Sequence, residues 1–432
     1  MGMARLKELE EEMHKCFRCN LCKMIPLPVV RNPEFMDGCP ATLEYGFHSY
    51  SGSGKQIMAL SLVQGRISVD RKLAEVTYAC TTCGLCDVSC KFIMDAERHL
   101  VNMALREHVV DEGHGLPIHE ETIQTWRTHG HPQGAKRDRC DHWASGLGLK
   151  QLPGEKAQVL IFAGCRSWDD PGSALVAKKL ARLLVHAGLD VGILADAEPS
   201  CGLFAYWTGY RDVFTTIASS SATLLDSLGV RTIVTASGSC LGCFRSKYPE
   251  YARGLSTEVV HASEMLWRLV EQKRLRLPAR IRRHVTYHDP CYLGRQSEPP
   301  PDWQGESRLT HGCMTYHVPP KPIRRGCDGV YDAPRNLLRS INGLDLVEMY
   351  RIREYSFCCG GGGGVPAAFP DLATSAGLNR IHEAHAVGAE VLVTACHECR
   401  IQLARTPTPG PGDGLPIVDL VDLVYEAANI PE

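Results

Sequence analysis

The sequence predicts an α/β protein made of two repeated halves behind an α-helical, cysteine-rich N-terminal domain. Three observations carry that expectation. From about residue 155 onward, short apolar runs of strand length alternate with helix-length amphipathic stretches. An order of strand, cysteine and helix occurs there twice. Near the N-terminus, two cysteine triplets are separated by apolar residues at helical spacing. The 432 residues suffice for two or three cores. The 47 basic and 49 acidic residues nearly cancel without a basic block, which argues against nucleic acid as a partner. No run of about eighteen apolar residues occurs, so no transmembrane segment is expected. The first thirteen residues read as a charged helix, not a signal peptide, so the expected location is cytoplasmic, with membrane association only through a partner. Twenty cysteines are too many to serve as small hydrophobes, and in a reducing compartment their spacing reads as metal or cluster ligation.

In residues 1–115, Cys16, Cys19 and Cys22 form one triplet. Cys80, Cys83 and Cys86 form a second, followed by Cys90, and Cys39 stands between them before Pro40. This is bacterial ferredoxin spacing, in which each triplet takes its fourth ligand from elsewhere. It assigns Cys16, Cys19, Cys22 and Cys90 to one 4Fe-4S cubane and Cys39, Cys80, Cys83 and Cys86 to another. Zinc ribbons suit two triplets plus two single cysteines poorly. The wide gap from Cys22 to Cys39, and Lys91 where proline usually follows, depart from the plain pattern. Helical spacing at 55–65, 73–79 and 95–110 makes this an α-helical ferredoxin domain.

Residues 116–154 read as a linker, where periodicity fades into Gly, Pro, His and charge. The first half, 155–280, runs through a strand at 157–163, Cys165, a helix at 174–187, a strand at 190–194, Cys201, a helix at 210–228, a strand at 231–236 and Cys240-x-x-Cys243. The second half, 281–432, repeats this with a strand at 284–288, Cys291, a helix at 335–342, a strand at 345–349, Cys358-Cys359, a helix, a strand at 390–395 and Cys396-x-x-Cys399. Such alternation implies two α/β units with ligands beyond the carboxyl ends of strands. An insert at 298–334, rich in Pro, Arg and His, follows Cys291; it suits a lid, a docking surface or a solvated excursion.

Cys358 and Cys359 run into Gly360–Gly364, and with Cys291, Cys396 and Cys399 they aim five thiols at one place. Thiolates suit iron-sulfur clusters or zinc, and glycine lets backbone approach a bulky inorganic body. Zinc would leave one cysteine spare. The duplicated pattern Cys, Cys-Cys-Gly, Cys-x-x-Cys resembles the CCG domains of heterodisulfide reductase and relatives such as glycolate oxidase iron-sulfur subunits. A ferredoxin module fused to two CCG halves resembles the fused catalytic D chain of that enzyme, and His288-Asp-Pro-Cys-Tyr-Leu-Gly-Arg295 and Val260-His-Ala-Ser-Glu264 share its phrasing. The resemblance implies a noncubane 4Fe-4S cluster on Cys291, Cys358, Cys359, Cys396 and Cys399, where a disulfide is cleaved one electron at a time. Cys291, Cys358 and Cys359, with His288 as a proton shuttle, are then the catalytic candidates. The first half departs from the pattern, since Ser200 stands beside Cys201 where a cysteine pair is expected. Cys165, Cys201, Cys240 and Cys243 suit zinc, a further iron-sulfur cluster, or a structural role without metal.

His397 flanks a ligand and is a second proton-shuttle candidate, and Arg295 suits an anionic substrate or an ion pair. Cys140, Cys313 and Cys327 lie outside every motif and read as bystanders. No flavin or nicotinamide motif is recognisable, so the expected partners are a flavoprotein or other iron-sulfur subunits of a larger complex. Two functions remain open: disulfide reduction at the second half, or pure electron relay within a benzoyl-CoA reductase, electron-transferring flavoprotein or quinone-linked system.

Overall fold

A computed structural model describes residues 2–91, 94–130, 132, 134, 142–311, 314–407 and 414–430. Cys140 and Cys313 lie outside the described residues. The N-terminal domain is helical, and its centre is helix Arg98–Asp111, buried nearly all round by Gly2–Glu8, Gly52–Val63 and Arg71–Tyr78. Ser51 and Asp70 accept backbone N–H groups at the starts of the last two helices, relieving orphan donors there.

Each half carries a parallel sheet. In the first, β1 (Lys150–Gln151), β2 (Val159–Ile161), β3 (Val191–Ile193), β4 (Thr232–Thr235) and β5 (Glu258–His261) lie in the order β1-β3-β2-β4-β5. In the second, β6 (Arg283–His288), β9 (Leu344–Leu346), β10 (Val391–Thr394) and β11 (Ile417–Asp419) lie in the order β11-β10-β6-β9. Matching β2 with β6, β3 with β9, β4 with β10 and β5 with β11 makes the two orders the same, with β1 an extra edge strand in the first. Strands β2, β3, β4 and β10 are buried on both faces, as the interior of a parallel sheet covered by helices requires. One continuous apolar core runs across both halves. Helices Pro171–His186 and Leu420–Ala428 pack at that seam, with Lys179 on Asp422 and Arg182 Nη1 donating to Tyr425 Oη at 3.0 Å.

The structure departs from the sequence expectation in the connector, the sheets and the insert. The stretch expected to be a connector holds helix Pro117–His129, started by proline and ended by left-handed Gly130, and strand β1. Its His119 is fully buried, with Nε2 3.0 Å from Gly364 O. Each sheet also carries a further strand, β5 or β11, which the alternation did not reveal because each runs directly into a helix through a capping box at His261 or Asp419. The insert contains an antiparallel hairpin, β7 (Glu306–Thr310) with β8 (Met314–Val318), tied to the helical domain by His317 Nε2 and Asp95 at 2.9 Å.

Candidate metal centres

The N-terminal thiols separate into an outer and an inner group. Cys19 is exposed and Cys16 half-buried, whereas Cys22 and Cys90 are buried. Arg98 Nε donates to Cys90 Sγ at 3.2 Å, and the charges of Cys90, Cys16 and Cys22 bear on its guanidinium. Cys22 Sγ accepts the Ser53 N–H at 3.4 Å. Cys39, Cys80, Cys83 and Cys86 line one cavity together with Lys55, Asn102 and Cys22. Asn102 Nδ2 donates to Cys80 Sγ at 3.4 Å. Burial pushes the Cys39 thiol up to about 11, so a bare thiolate there is disfavoured without a cation or metal.

In the second half, Cys291 follows β6 and Cys396 follows β10, both at carboxyl ends of strands. Cys358 and Cys359 arrive on the connection after β9, and Cys399 sits one turn into helix His397–Arg405. Cys359 Sγ lies 3.1 Å from Cys399 Sγ. Cys358 is hydrogen-bonded to Cys291, Cys359 and Cys83, and Cys396 to Cys399 and Ser239. All five thiols thus meet, and Cys83 of the inner N-terminal group touches them. Hydrogen bonds from Cys358 and Cys399 pull the Cys359 thiol down to about 5, while Cys399, donating to Cys359 and Cys396, is pushed up. The cluster shares protons that a soft metal body would displace. Backbone N–H groups of Gly360 and Gly361 point at Cys358 and Cys359 Sγ at 3.3 and 3.4 Å. Four of the five cysteines are buried, with Cys291 half-buried.

The glycine run has a second reason. A Cβ on Gly363 would come within 2.5 Å of Cys80 O, one on Gly362 within 2.8 Å of Thr81 O, and one on Gly360 within 2.5 Å of Ala373 O. The run is pressed against the loop that carries the second ferredoxin triplet. His288, 1% exposed, places a ring nitrogen within 4.8 Å of the sulfurs of Cys359 and Cys399. Arg380 Nε donates to its Nδ1 at 3.0 Å, and Nε2 has no partner. Burial, then the Arg380 charge, pushes its pKa well below the ordinary value, so the neutral ring with hydrogen on Nε2 is the stable form.

In the first half, Cys165, Cys201, Cys240 and Cys243 come together beyond β2 and β4. Cys201 is hydrogen-bonded by Cys240 and Cys243, which holds its thiol well below the usual value, and Cys165 lies in its field. Ser200 Oγ accepts the Gly202 N–H at 3.2 Å, a turn bond, and lines the cavity with Cys201. That cavity, about 530 Å³, is bounded by Cys165, Ser200, Cys201, Cys240, Trp207 and His397. Ser239 Oγ, on its wall, is 3.3 Å from Cys396 Sγ, so the space adjoins the second thiol site. Both ring nitrogens of His397 are buried without partners. Arg295 donates to Cys83 O, Glu354 O and Ser356 O at 2.6, 2.9 and 2.8 Å, bracing the seam between the two thiol groups. Cys327 is exposed.

Buried cations test whether anionic clusters fit. Arg335 is paired with Asp289 and Glu348, and Arg351 and Arg380 with Glu383. Lys55, Arg98, Arg106 and Arg295, all at least 95% buried, have no carboxylate at salt-bridge distance among the described residues. Lys55 Nζ donates to Tyr50 O at 2.6 Å, and Arg106 donates to Tyr78 O, Cys80 O, Trp207 O and Gly363 O. Thiols face all four: Cys80, Cys39 and Cys86 for Lys55, Cys80 for Arg106, Cys90 for Arg98, and Cys83 and Cys291 for Arg295. Burying a lone cation costs several kcal/mol or more, and carbonyls alone do not offset it. Anionic thiolate-bound clusters are fitting counter-ions. The sequence reading missed Lys55, although its helical register with Ala59 and Leu62 sets a charge on a buried face.

An α-helical two-triplet domain packed on a duplicated cysteine-rich α/β unit defines an iron-sulfur oxidoreductase component. Residues 12–92 match the 4Fe-4S dicluster domain, and residues 159–245 and 311–404 each match the cysteine-rich domain CCG, with Cys291 ahead of the second stretch. The D chain of dihydromethanophenazine:CoB–CoM heterodisulfide reductase from Methanosarcina mazei is 30% identical over 363 residues, 82% of this chain and 78% of that protein. Its counterpart from Methanosarcina acetivorans is 28% identical over 97% of this chain and 95% of its own length. EtfAB:quinone oxidoreductase of Syntrophomonas wolfei is 25% identical over 77% of this chain, which spans 43% of that protein. The chain belongs to the family of the heterodisulfide reductase D chain. No helix among the described residues is long and apolar enough to cross a membrane.

Proposed function

We propose that this chain is the electron-transfer component of a heterodisulfide reductase-type complex, with two cubane sites and a noncubane site. Cys16, Cys19, Cys22 and Cys90 would hold the outer cubane, and Cys39, Cys80, Cys83 and Cys86 the inner one. Cys291, Cys358, Cys359, Cys396 and Cys399 would hold the noncubane cluster. When bound, these clusters supply one-electron transfer. The observation that carries the reading is the meeting of all five second-half thiols with Cys83 of the inner group. The protein's own residues do the rest. Backbone N–H groups at Gly360 and Gly361 and the neutral His288 ring orient and stabilise sulfur, and the docked helical domain excludes water. Exposed Cys19 marks the face for a partner, and the likeness to an EtfAB:quinone oxidoreductase supports an electron-transferring flavoprotein in that role.

Burial of four of the five second-half thiols supports relay. The alternative, disulfide reduction by this chain itself, is favoured by one observation: the 530 Å³ cavity over Cys165, Cys201 and Cys240 is of small-molecule size and reaches Ser239 beside Cys396. Four thiols without a fifth at Ser200 suit zinc or a cubane in that half. Anaerobic iron, sulfide and zinc analysis with electron paramagnetic resonance of wild type and Cys359→Ser tests the assignment. The expected result is loss of an oxidised-state signal that responds to thiols, with both reduced cubane signals kept. Zinc without iron at the second site refutes it.

A further inference from the structure

The two thiol groups of the N-terminal domain sit in unequal electrostatic surroundings. The outer group has exposed Cys19 and half-buried Cys16, and among the described residues one buried cation without a carboxylate, Arg98, since buried Lys15 and Lys91 are paired with Glu12 and Glu97. Arg18 is exposed and Lys23 half-buried near His48, so solvent screens much of their charge. The inner group is enclosed by three buried cations. Lys55 lines the same cavity as half-buried Cys39, Cys80 and Cys86 and buried Cys83; Arg98 also reaches that cavity, but its hydrogen bond to a thiol goes to Cys90 of the outer group. Arg106 donates to the carbonyl of Cys80 at 2.6 Å, and Arg295 to that of Cys83 at 2.6 Å. Asp87 lies near Cys86 and Cys90 alike and faces Lys91, so it does not separate the groups.

Reduction adds one negative charge to a centre, and a buried cation stabilises that charge far more than a solvated one does. We propose that Lys55, Arg106 and Arg295 make the centre on Cys39, Cys80, Cys83 and Cys86 the more readily reduced of the two. One electron taken from a reduced flavin of the partner, leaving that flavin oxidised by one electron, then resides beside Cys358 and not at the exposed Cys19 end. Lys55 acts through charge and touches no substrate, so it is a positioning residue that sets a potential. This inference rests on the cubane assignment proposed above.

The test is an anaerobic redox titration of the full loaded chain, followed by electron paramagnetic resonance. Lys55→Gln retains a donor for the Tyr50 carbonyl but removes the charge. It should shift the higher of the two cubane midpoints to more negative potential and leave the lower one in place. A Lys55→Gln shift in the lower midpoint, or in neither, overturns the inference. Cys19→Ser supplies a second measure that does not depend on a buried variant folding. It should alter the signal that appears last on stepwise reduction, and an altered first signal overturns the ranking. Fewer than two cubanes by iron and sulfide in wild type would instead overturn the assignment beneath it.

Discussion

Glu383 is the shared counter-ion of two fully buried arginines, and Glu383→Gln should cost more than any surface change. It accepts Arg351 Nε at 2.9 Å, Arg351 N at 2.6 Å and Arg380 Nη1 at 2.6 Å. Arg380 then reaches His288, and Arg351 Nη1 reaches Asp37 O in the helical domain at 2.9 Å. Burial alone would push the Glu383 carboxyl up, but the Arg380 and Arg351 charges outweigh it and hold the pKa below the ordinary value. Because the folded value is depressed, the stabilisation is full above the unfolded carboxylate value of about 4.3 and is lost only as pH falls through the lower folded one. Glutamine keeps one acceptor oxygen but leaves both guanidiniums without an anion, a loss of about 3–5 kcal/mol by analogy with broken buried pairs. At roughly 2–4 °C per kcal/mol for a unit of this size, the unfolding midpoint should fall by about 6–20 °C. Anaerobic calorimetry of the loaded protein measures it, and the deficit should be the same across the neutral range. A drop smaller than about 2 °C, or a deficit that varies through the neutral range, would refute the shared-anion account.

Three further outcomes follow from single contacts. Ser200→Cys, which supplies the thiol that the first half lacks, should raise iron bound per chain under anaerobic reconstitution; unchanged iron with zinc retained would show that the half is built for four ligands. Gly360→Ala, at φ +92° with Ala373 O 2.5 Å from the new Cβ, should lose the second-half signal while the helical domain keeps its own, read by electron paramagnetic resonance. His317→Ala removes a partly buried hydrogen bond with Asp95 and should cost under about 1 kcal/mol, yet speed limited proteolysis within the insert; an unchanged cleavage rate would show that the hairpin is held by other contacts.

Cysteine spacing made the site legible because ligand chemistry restricts which intervals work. The triplets, the Cys358-Cys359 pair and Cys396-x-x-Cys399 stand where strands and helix starts carry them, as alternation of apolar runs implied. What spacing does not encode is which neighbour each group faces. Cys83 against Cys358, and Ser239 against Cys396, are contacts between segments more than 150 residues apart. Helix Pro117–His129 was illegible for another reason: only His119 and Ile123 are buried along it, too few to set a clear apolar period.

The two halves share the order of four strands, but the backbone after Cys359 differs from that after Cys201. After Cys359 the backbone carries glycines whose missing Cβ atoms leave room for Cys80 O, Thr81 O and the ring of His119. The second half therefore seats the helical domain directly over its thiols. After Cys201 a single glycine, Gly202 at φ +79°, gives way to Leu203 and a helix ending at Thr208, whose Trp207 lines the open cavity. The glycine run thus lies against the loop of the second ferredoxin triplet in the second half, and a cavity of about 530 Å³ adjoins the thiols of the first. On that basis, bulk introduced at Gly363 should weaken domain seating before it disturbs any thiol in the first half.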